Sequence, residues 1–233
     1  MNGNGLDLLI FGAHPDDAEI GMGATIAKHT RAGLKVGVCD LTQAEMSSNG
    51  TVELRAKEAA EATGILGLSV RSNLQLPDRG LHNDAGYVLL IAREIRKHRP
   101  RVVFAPYAND RHPDHGAASR LVDEAVFNAK LRRYDTDTDA FTVERMYYYF
   151  INDTVQPDVL VDATDDYKFK TAALRAYRSQ FTPPDGSGTY VATPLNQGYL
   201  ERVEARDRLL GLSASCMYAE GFMCKQPYQV QLF

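Results

Sequence analysis

Three cysteines in 233 residues, Cys39, Cys216 and Cys224, form no Cys-x-x-Cys pair. An odd, scattered set does not build a disulfide framework and suits a reducing compartment. Long apolar runs are missing too: nothing approaches the ~18 residues of a spanning helix. The stretch from Leu6 to Ala13 is too short for a secretory leader, and no basic segment precedes it. Basic residues never gather into a run. The 26 Lys and Arg are interleaved with 30 Asp and Glu, for a formal charge of −4, which argues against nucleic acid as a partner. Repeats and a linker are also absent. What these absences leave is a cytoplasmic protein of one domain, residues 1–233, with neither membrane nor nucleic acid as partner.

What is present is an alternation of strands and helices. Leu6–Gly12 reads as a buried strand and Ile20–Ala32 as a helix stopped by Gly33, followed by a strand over Lys35–Leu41. In Thr51–Leu66, residues Val52, Ala56, Ala59, Thr63 and Leu66 share one face of a wheel turning roughly 100° per residue. Arg55 falls on that apolar side, where a guanidinium needs an anion. A short strand at Ser72–Leu76 precedes a helix marked by Val88, Ile91, Ala92 and Ile95, which Pro100 prevents from continuing. Arg101–Pro106 is the next strand, and Ala118, Leu121, Val122, Ala125 and Ala129 space a helix after His115. The order predicts an α/β fold: a Rossmann-like, mainly parallel sheet with helices on both faces. Further strands are expected at Arg145–Asn152 and Asp158–Asp162, a helix from Thr164 to about Gln180, and a last helix over Asn196–Leu212. Thr182–Tyr190, with Pro183-Pro184-Asp185-Gly186, is the one clear loop.

Two strand ends carry chemistry. Leu8-Leu9-Ile10-Phe11 runs into His14-Pro15-Asp16-Asp17, and Val102-Val103-Phe104-Ala105 into Arg111-His112-Pro113-Asp114-His115. Ligands in open α/β sheets bind beyond the carboxyl ends of the strands, so neighbouring strands would bring both loops to one edge. Two imidazoles and a carboxylate suit a catalytic zinc with an open position, and a second, free carboxylate can act as general base. The aspartates of either loop could instead cap the helix that follows. His112 and His115 leave two roles open, ligand and proton donor, and Asp114 could orient either ring.

The segments Ala13–Glu19 (AHPDDAE) and Arg111–His115 (RHPDH) resemble the LmbE/PIG-L family of zinc-dependent N-acetylglucosaminide deacetylases. Asp40–Arg55, Leu76–Leu81, Thr193–Tyr199 and Tyr218–Phe222 narrow the likeness to its bacillithiol-biosynthesis branch, which acts on N-acetylglucosaminyl malate. By position, the resemblance implies one zinc per subunit on His14, Asp17 and His115. It implies Asp16 as general base, and His112, oriented by Asp114, as oxyanion stabiliser or proton donor. The partner it implies is a small N-acetylated glucosamine conjugate, and the assembly a homo-oligomer, often a hexamer. Relatives of the mycothiol branch place a tyrosine where this chain has Asp110; Tyr107 or Tyr199 could reach the site instead. Malate brings two carboxylates: Arg55 is the first candidate to meet one, with Arg79 and Arg111 behind it. Free N-acetylglucosamine, chitin oligomers and inositol conjugates are the other substrates such chemistry serves, and iron is an alternative metal.

Other features are set aside. Asp135-Thr136-Asp137-Thr138-Asp139 opens like a calcium loop but lacks the glycine and glutamate that would complete it. Gly21-Met22-Gly23 lacks the third glycine of a dinucleotide fingerprint. His29, His82 and His98 have no partners at ligand spacing. A non-haem iron oxygenase would use the same donor types, yet usually on an all-β barrel. A non-catalytic sugar- or nucleotide-binding module would have no need of a free carboxylate beside the ligands.

Overall fold

The computed structural model describes residues 5–182 and 190–227. The loop expected over Thr182–Tyr190 lies almost wholly outside these residues. Near-continuous apolar segments form the central strands: β1 (Leu8–Gly12), β2 (Val36–Thr42), β3 (Val70–Leu76) and β4 (Val102–Pro106). With β5 (Arg145–Tyr149), β6 (Val159–Asp162) and β7 (Ala219–Cys224) they make one sheet in the order β3-β2-β1-β4-β5-β7-β6. The first five strands of that order run parallel, while β7 is antiparallel to both its neighbours. Leu8 sits in register with Val36 on one side and Val102 on the other. The carboxyl ends of β1 and β4 are therefore adjacent, and the two motif loops do share an edge.

Helices cover both faces, as the alternation predicts. They are α1 (Asp17–Arg31), α2 (Val52–Leu66), α3 (Ala85–His98), α4 (Pro113–Ala129), α5 (Tyr167–Ala176), α6 (Arg178–Phe181) and α7 (Tyr199–Ser213). Period-two alternation in β1 divides the core: Leu8 and Ile10 pack with Ile26, Ala59 and Leu174, whereas Leu9 and Phe11 pack with Ile91 and Leu121. α2 begins with the Thr51 hydroxyl accepting the Leu54 N–H at 3.2 Å and ends at Gly67 in the left-handed region, φ 67°.

Several boundaries differ from the sequence reading. α1 and α4 start before the positions expected, so Asp17, Asp114 and His115 lie in first helical turns rather than in loops. The helix expected from Thr164 to Gln180 is broken at Tyr177 (ψ 63°), and the Thr164 hydroxyl accepts the N–H groups of Met217 and Tyr218 instead of capping it. Asp135, at the head of the segment that opens like a calcium loop, is buried and pairs with Arg93 at 3.0 Å. His98 is half-buried against Glu94 at 3.1 Å.

The glycines near the start of α1 are there for packing. A Cβ on Gly21 would stand 2.1 Å from the ring of Tyr149 and 3.0 Å from the Phe150 carbonyl oxygen. Tyr149 cannot swing aside, since it is fully buried and its hydroxyl donates to the Phe11 carbonyl at 2.8 Å. Gly21→Ala is expected to destabilise by about 1–3 kcal/mol through overpacking. Urea denaturation checks this, and no loss of stability would mean that the helix can slide away from β5.

Candidate metal centre and active site

His14, Asp17 and His115 converge where β1 and β4 end. Asp17 Oδ1 lies 3.2 Å from His115 Nε2, and Asp17 Oδ2 lies 3.6 Å from His14 Nδ1. A tetrahedral ion with bonds of about 2.0–2.1 Å has ligand atoms about 3.4 Å apart, and each imidazole stands near that separation from a different carboxylate oxygen of Asp17.

The opposite ring nitrogens fix the tautomers. His115 Nδ1 hydrogen-bonds to Asp110 Oδ1 at 2.9 Å, and His14 Nε2 to Asp78 Oδ1 at 3.1 Å. Each carboxylate holds a proton on the outer nitrogen and leaves the inner lone pair for a metal. His112 is the opposite case. Donor atoms of His14, His112 and His115 come within 4.8 Å of one another, but His112 Nδ1 accepts the Asp114 N–H at 3.3 Å. With its one lone pair so used, a neutral His112 carries its proton on Nε2 and is a donor, not a ligand. Burial, reinforced by His14 and His115, lowers its pKa and keeps it neutral. A second grouping, His14, Asp78 and Asp114, reads as outer support: Asp78 also accepts the Met46 N–H, and Asp114 is taken up by Arg79.

Asp16 stands apart from the donors. It precedes α1 with φ 127°, ψ −21° and makes no side-chain cap, so the capping alternative fails for it. In α4 the cap is His112, which removes that alternative for Asp114 as well. Strained backbone of this kind persists where surrounding structure over-determines it, and it is enriched at active sites. Burial pushes the Asp16 carboxyl up to about 7, against the pull of Arg55. It lines a cavity of about 440 Å³ with His14, Asp17, His112 and His115. A larger groove of about 840 Å³, beside α5, holds no imidazole.

The remaining candidates are placed less as expected. Arg55 is buried and donates to Asp16 Oδ2 at 3.1 Å and to the Pro15 carbonyl at 2.6 Å. Its inward position thus meets the protein's own acid, yet Arg55 also lines the cavity, with Nε buried and unbonded. Arg79 pairs with Asp114 at 2.8 Å. The Asp114 carboxylate therefore faces Arg79 and His14 rather than His112, and it is the backbone N–H of Asp114 that orients that ring. Arg111 lines the cavity and donates to Asn152 Oδ1 at 3.2 Å. Tyr199 also lines it, its hydroxyl bonded to the same oxygen at 3.0 Å. Tyr107 packs edge-on against Phe150 and is not among the lining residues.

Asp78 and Asp110 escaped the sequence reading. Asp78 belongs to the Leu76–Leu81 segment, and only its distance of 64 residues from His14 hid the pairing.

Without a metal the imidazoles of His14 and His115 both favour protonation. Burial opposes a charge on His115, but Asp17 and Asp110 outweigh it and push its pKa up to about 9. For His14 burial is outweighed by Asp114, Asp17 and Asp78. A metal must displace both protons. Below about pH 9 His115 is charged when free and neutral when ligating, so affinity falls as pH falls. Apparent zinc affinity is expected to drop by up to about 100-fold per pH unit between about pH 8 and 6, read by competition with a chromophoric chelator. A flat profile would mean that the imidazoles are not the donors.

Residues 9–126 match the family model for GlcNAc-PI de-N-acetylase, PIG-L. A diacetylchitobiose deacetylase of Thermococcus kodakarensis is 31% identical over 189 residues, which span 75% of this chain and 70% of that protein. Among solved structures, a conserved protein of Thermus thermophilus superposes with TM-score 0.88 at 43% identity, covering 97% of each chain. The N,N'-diacetylchitobiose deacetylase of Pyrococcus horikoshii, complexed with its inhibitor MPG, gives TM-score 0.82 at 26% identity, over 93% of this chain and 82% of that one.

Proposed function

Because the chain belongs to the PIG-L family of de-N-acetylases, we propose that it hydrolyses the acetamide of an N-acetylglucosaminyl conjugate at a zinc ion held by His14, Asp17 and His115. The observation that carries the reading is the pair of outer hydrogen bonds, His115 to Asp110 and His14 to Asp78, which turn two inner lone pairs toward Asp17. Zinc bound there supplies a water of lowered pKa and polarisation of the amide carbonyl. Asp16 accepts the proton of the attacking water, and the Arg55 guanidinium keeps its carboxylate aimed. His112, neutral and protonated at Nε2, donates to the oxyanion as the carbonyl becomes tetrahedral. Amide cleavage also needs the departing amine protonated, and the proton Asp16 has taken up is at hand for that step.

For the physiological substrate, N-acetylglucosaminyl malate in bacillithiol biosynthesis is the preferred reading. A groove of about 340 Å³ shares Arg111, Ile151, Asn152 and Tyr199 with the metal cavity. Its lining holds three arginines, Arg111, Arg202 and Arg206, and no acid. Arg206 is committed to Asp207 and to backbone carbonyls. The guanidinium groups of Arg111 and Arg202 have only neutral partners among the described residues, so they, rather than Arg55 and Arg79, are suited to an acidic aglycone. The archaeal relatives favour the second reading, a neutral chitobiose-type substrate. A single domain, a cytoplasmic location and a homo-oligomeric, hexamer-like assembly complete the proposal.

The test is release of free amine by the zinc-loaded protein from N-acetylglucosaminyl malate, diacetylchitobiose and N-acetylglucosamine in parallel. Preference for the malate conjugate supports the preferred substrate, and preference for diacetylchitobiose replaces it. No amine from any of the three, nor from the N-acetylglucosaminyl inositol of other relatives, sinks the deacetylase reading.

A further inference from the structure

We propose that Asp110 is a positioning residue: it fixes His115 in its metal-binding tautomer, and Asn152 ties the pair to the residues that line the substrate groove. The inference rests on the metal set just described, but not on the identity of the substrate.

The Asp110 carboxylate is 2% exposed, and its partners among the described residues are donors without a permanent charge. Oδ1 accepts from His115 Nδ1 at 2.9 Å, from the His112 N–H at 2.8 Å and from Asn152 Nδ2 at 2.9 Å. Oδ2 accepts the Asn152 N–H at 2.9 Å. A buried carboxylate normally keeps a Lys or Arg beside it. Here His115 is the only titratable side chain bonded to it among the described residues. The positive charge that balances Asp110 is therefore that of the imidazole or of an ion bound on its far side. The coupling works both ways. The anion makes Nε2 a stronger donor to a metal, and it holds the ring in one orientation.

Asn152 extends the arrangement. Its backbone and side-chain N–H groups both point at Asp110, which leaves Oδ1 to accept from Tyr199 Oη at 3.0 Å and Arg111 at 3.2 Å. The amide orientation is unambiguous, because a carboxylate lies at one end and a guanidinium at the other. One continuous hydrogen-bonded path thus runs from the metal-facing imidazole to two residues lining both the cavity and the basic groove.

Asp110→Asn tests this with little change of shape. The four bonds all need an acceptor, and asparagine offers one oxygen and an NH2 group, so at least one donor is left facing another. The expected result is zinc affinity lowered by about 10- to 100-fold, measured by chelator competition without any turnover, at a temperature where the metal-free variant is folded. Affinity within about twofold of the parent would overturn the proposal. The unmodified protein gives a second readout that does not depend on the variant folding. In its zinc-loaded form, 15N NMR is expected to show His115 protonated at Nδ1, and a bare Nδ1 would overturn the proposal. Parent protein that binds no zinc would remove the metal reading itself, an outcome distinct from a variant that binds as tightly as the parent.

Discussion

Replacing Asp16 with asparagine lowers turnover by about 10²- to 10⁴-fold, the range a positioned general base contributes, while zinc stays bound. Asparagine tolerates the positive φ of 127° at this position better than most residues, and its oxygen can still accept from Arg55, 3.1 Å from the present carboxylate. What it cannot do is take a proton. The metal donors themselves are untouched, so metal analysis should return the parental zinc content. The pH profile sharpens the test. Burial raises the Asp16 carboxyl to about 7 in the metal-free protein, and a neighbouring dication pulls it back down. The base is active only when deprotonated, so kcat/KM of the parent falls as pH drops through that lowered value. With zinc in sufficient excess to keep the site filled at each pH, the residual activity of Asp16→Asn lacks this acid limb. Turnover within about threefold of the parent, against the 10²-fold or more expected of a general base, would move the base to another residue.

The route from sequence to site was short for the proposed metal donors and long for what supports them. HPDD and RHPDH follow strands whose apolar runs are plain in the sequence, and one parallel register, Leu8 beside Val102, brings the loops together. Asp78 and Asp110 depend on tertiary placement. Nothing local says that the loop after β3, two strands away from β1, reaches back to His14. Asp110 stood out only as a departure from a family pattern, when its actual partner is His115, five residues on. Arg55 shows the limit of helical periodicity, which put the guanidinium inward but could not say which anion it meets. β7 was missed because Glu220 interrupts an otherwise apolar strand, Ala219–Cys224. The start of α1 was placed late because Gly21 and Gly23 weaken the helical signal at its front.

The same Glu220 explains how the front of α1 is held, and it leads to the largest stability effect expected here. Lys170, on a helix whose charged residues would ordinarily be solvated, is fully buried. Its ammonium meets Asp207 at 2.6 Å and Glu220 at 2.7 Å. Glu220 in turn accepts the N–H groups of Ala24 and Thr25, at 3.1 and 2.6 Å. Those amides are free because α1 is broken at Met22, φ −151° and ψ 27°, so its second half has an N-terminus of its own inside the protein. The carboxylate and the helix break thus require each other, and Lys170 makes the carboxylate tolerable. Lys170→Met leaves that charge buried without its cation and is expected to cost about 3–5 kcal/mol. The pH dependence of the cluster lies with Asp207: burial is overcome by Arg206 and Lys170, which hold its carboxyl below the ordinary range. That stabilisation is present above the unfolded carboxyl value of about 3.9 and is lost in acid. Denaturant titration of both proteins at neutral pH decides the matter. A deficit under about 1 kcal/mol would mean that water or a rearranged side chain replaces the ammonium, and that α1 keeps its break without the buried ion cluster.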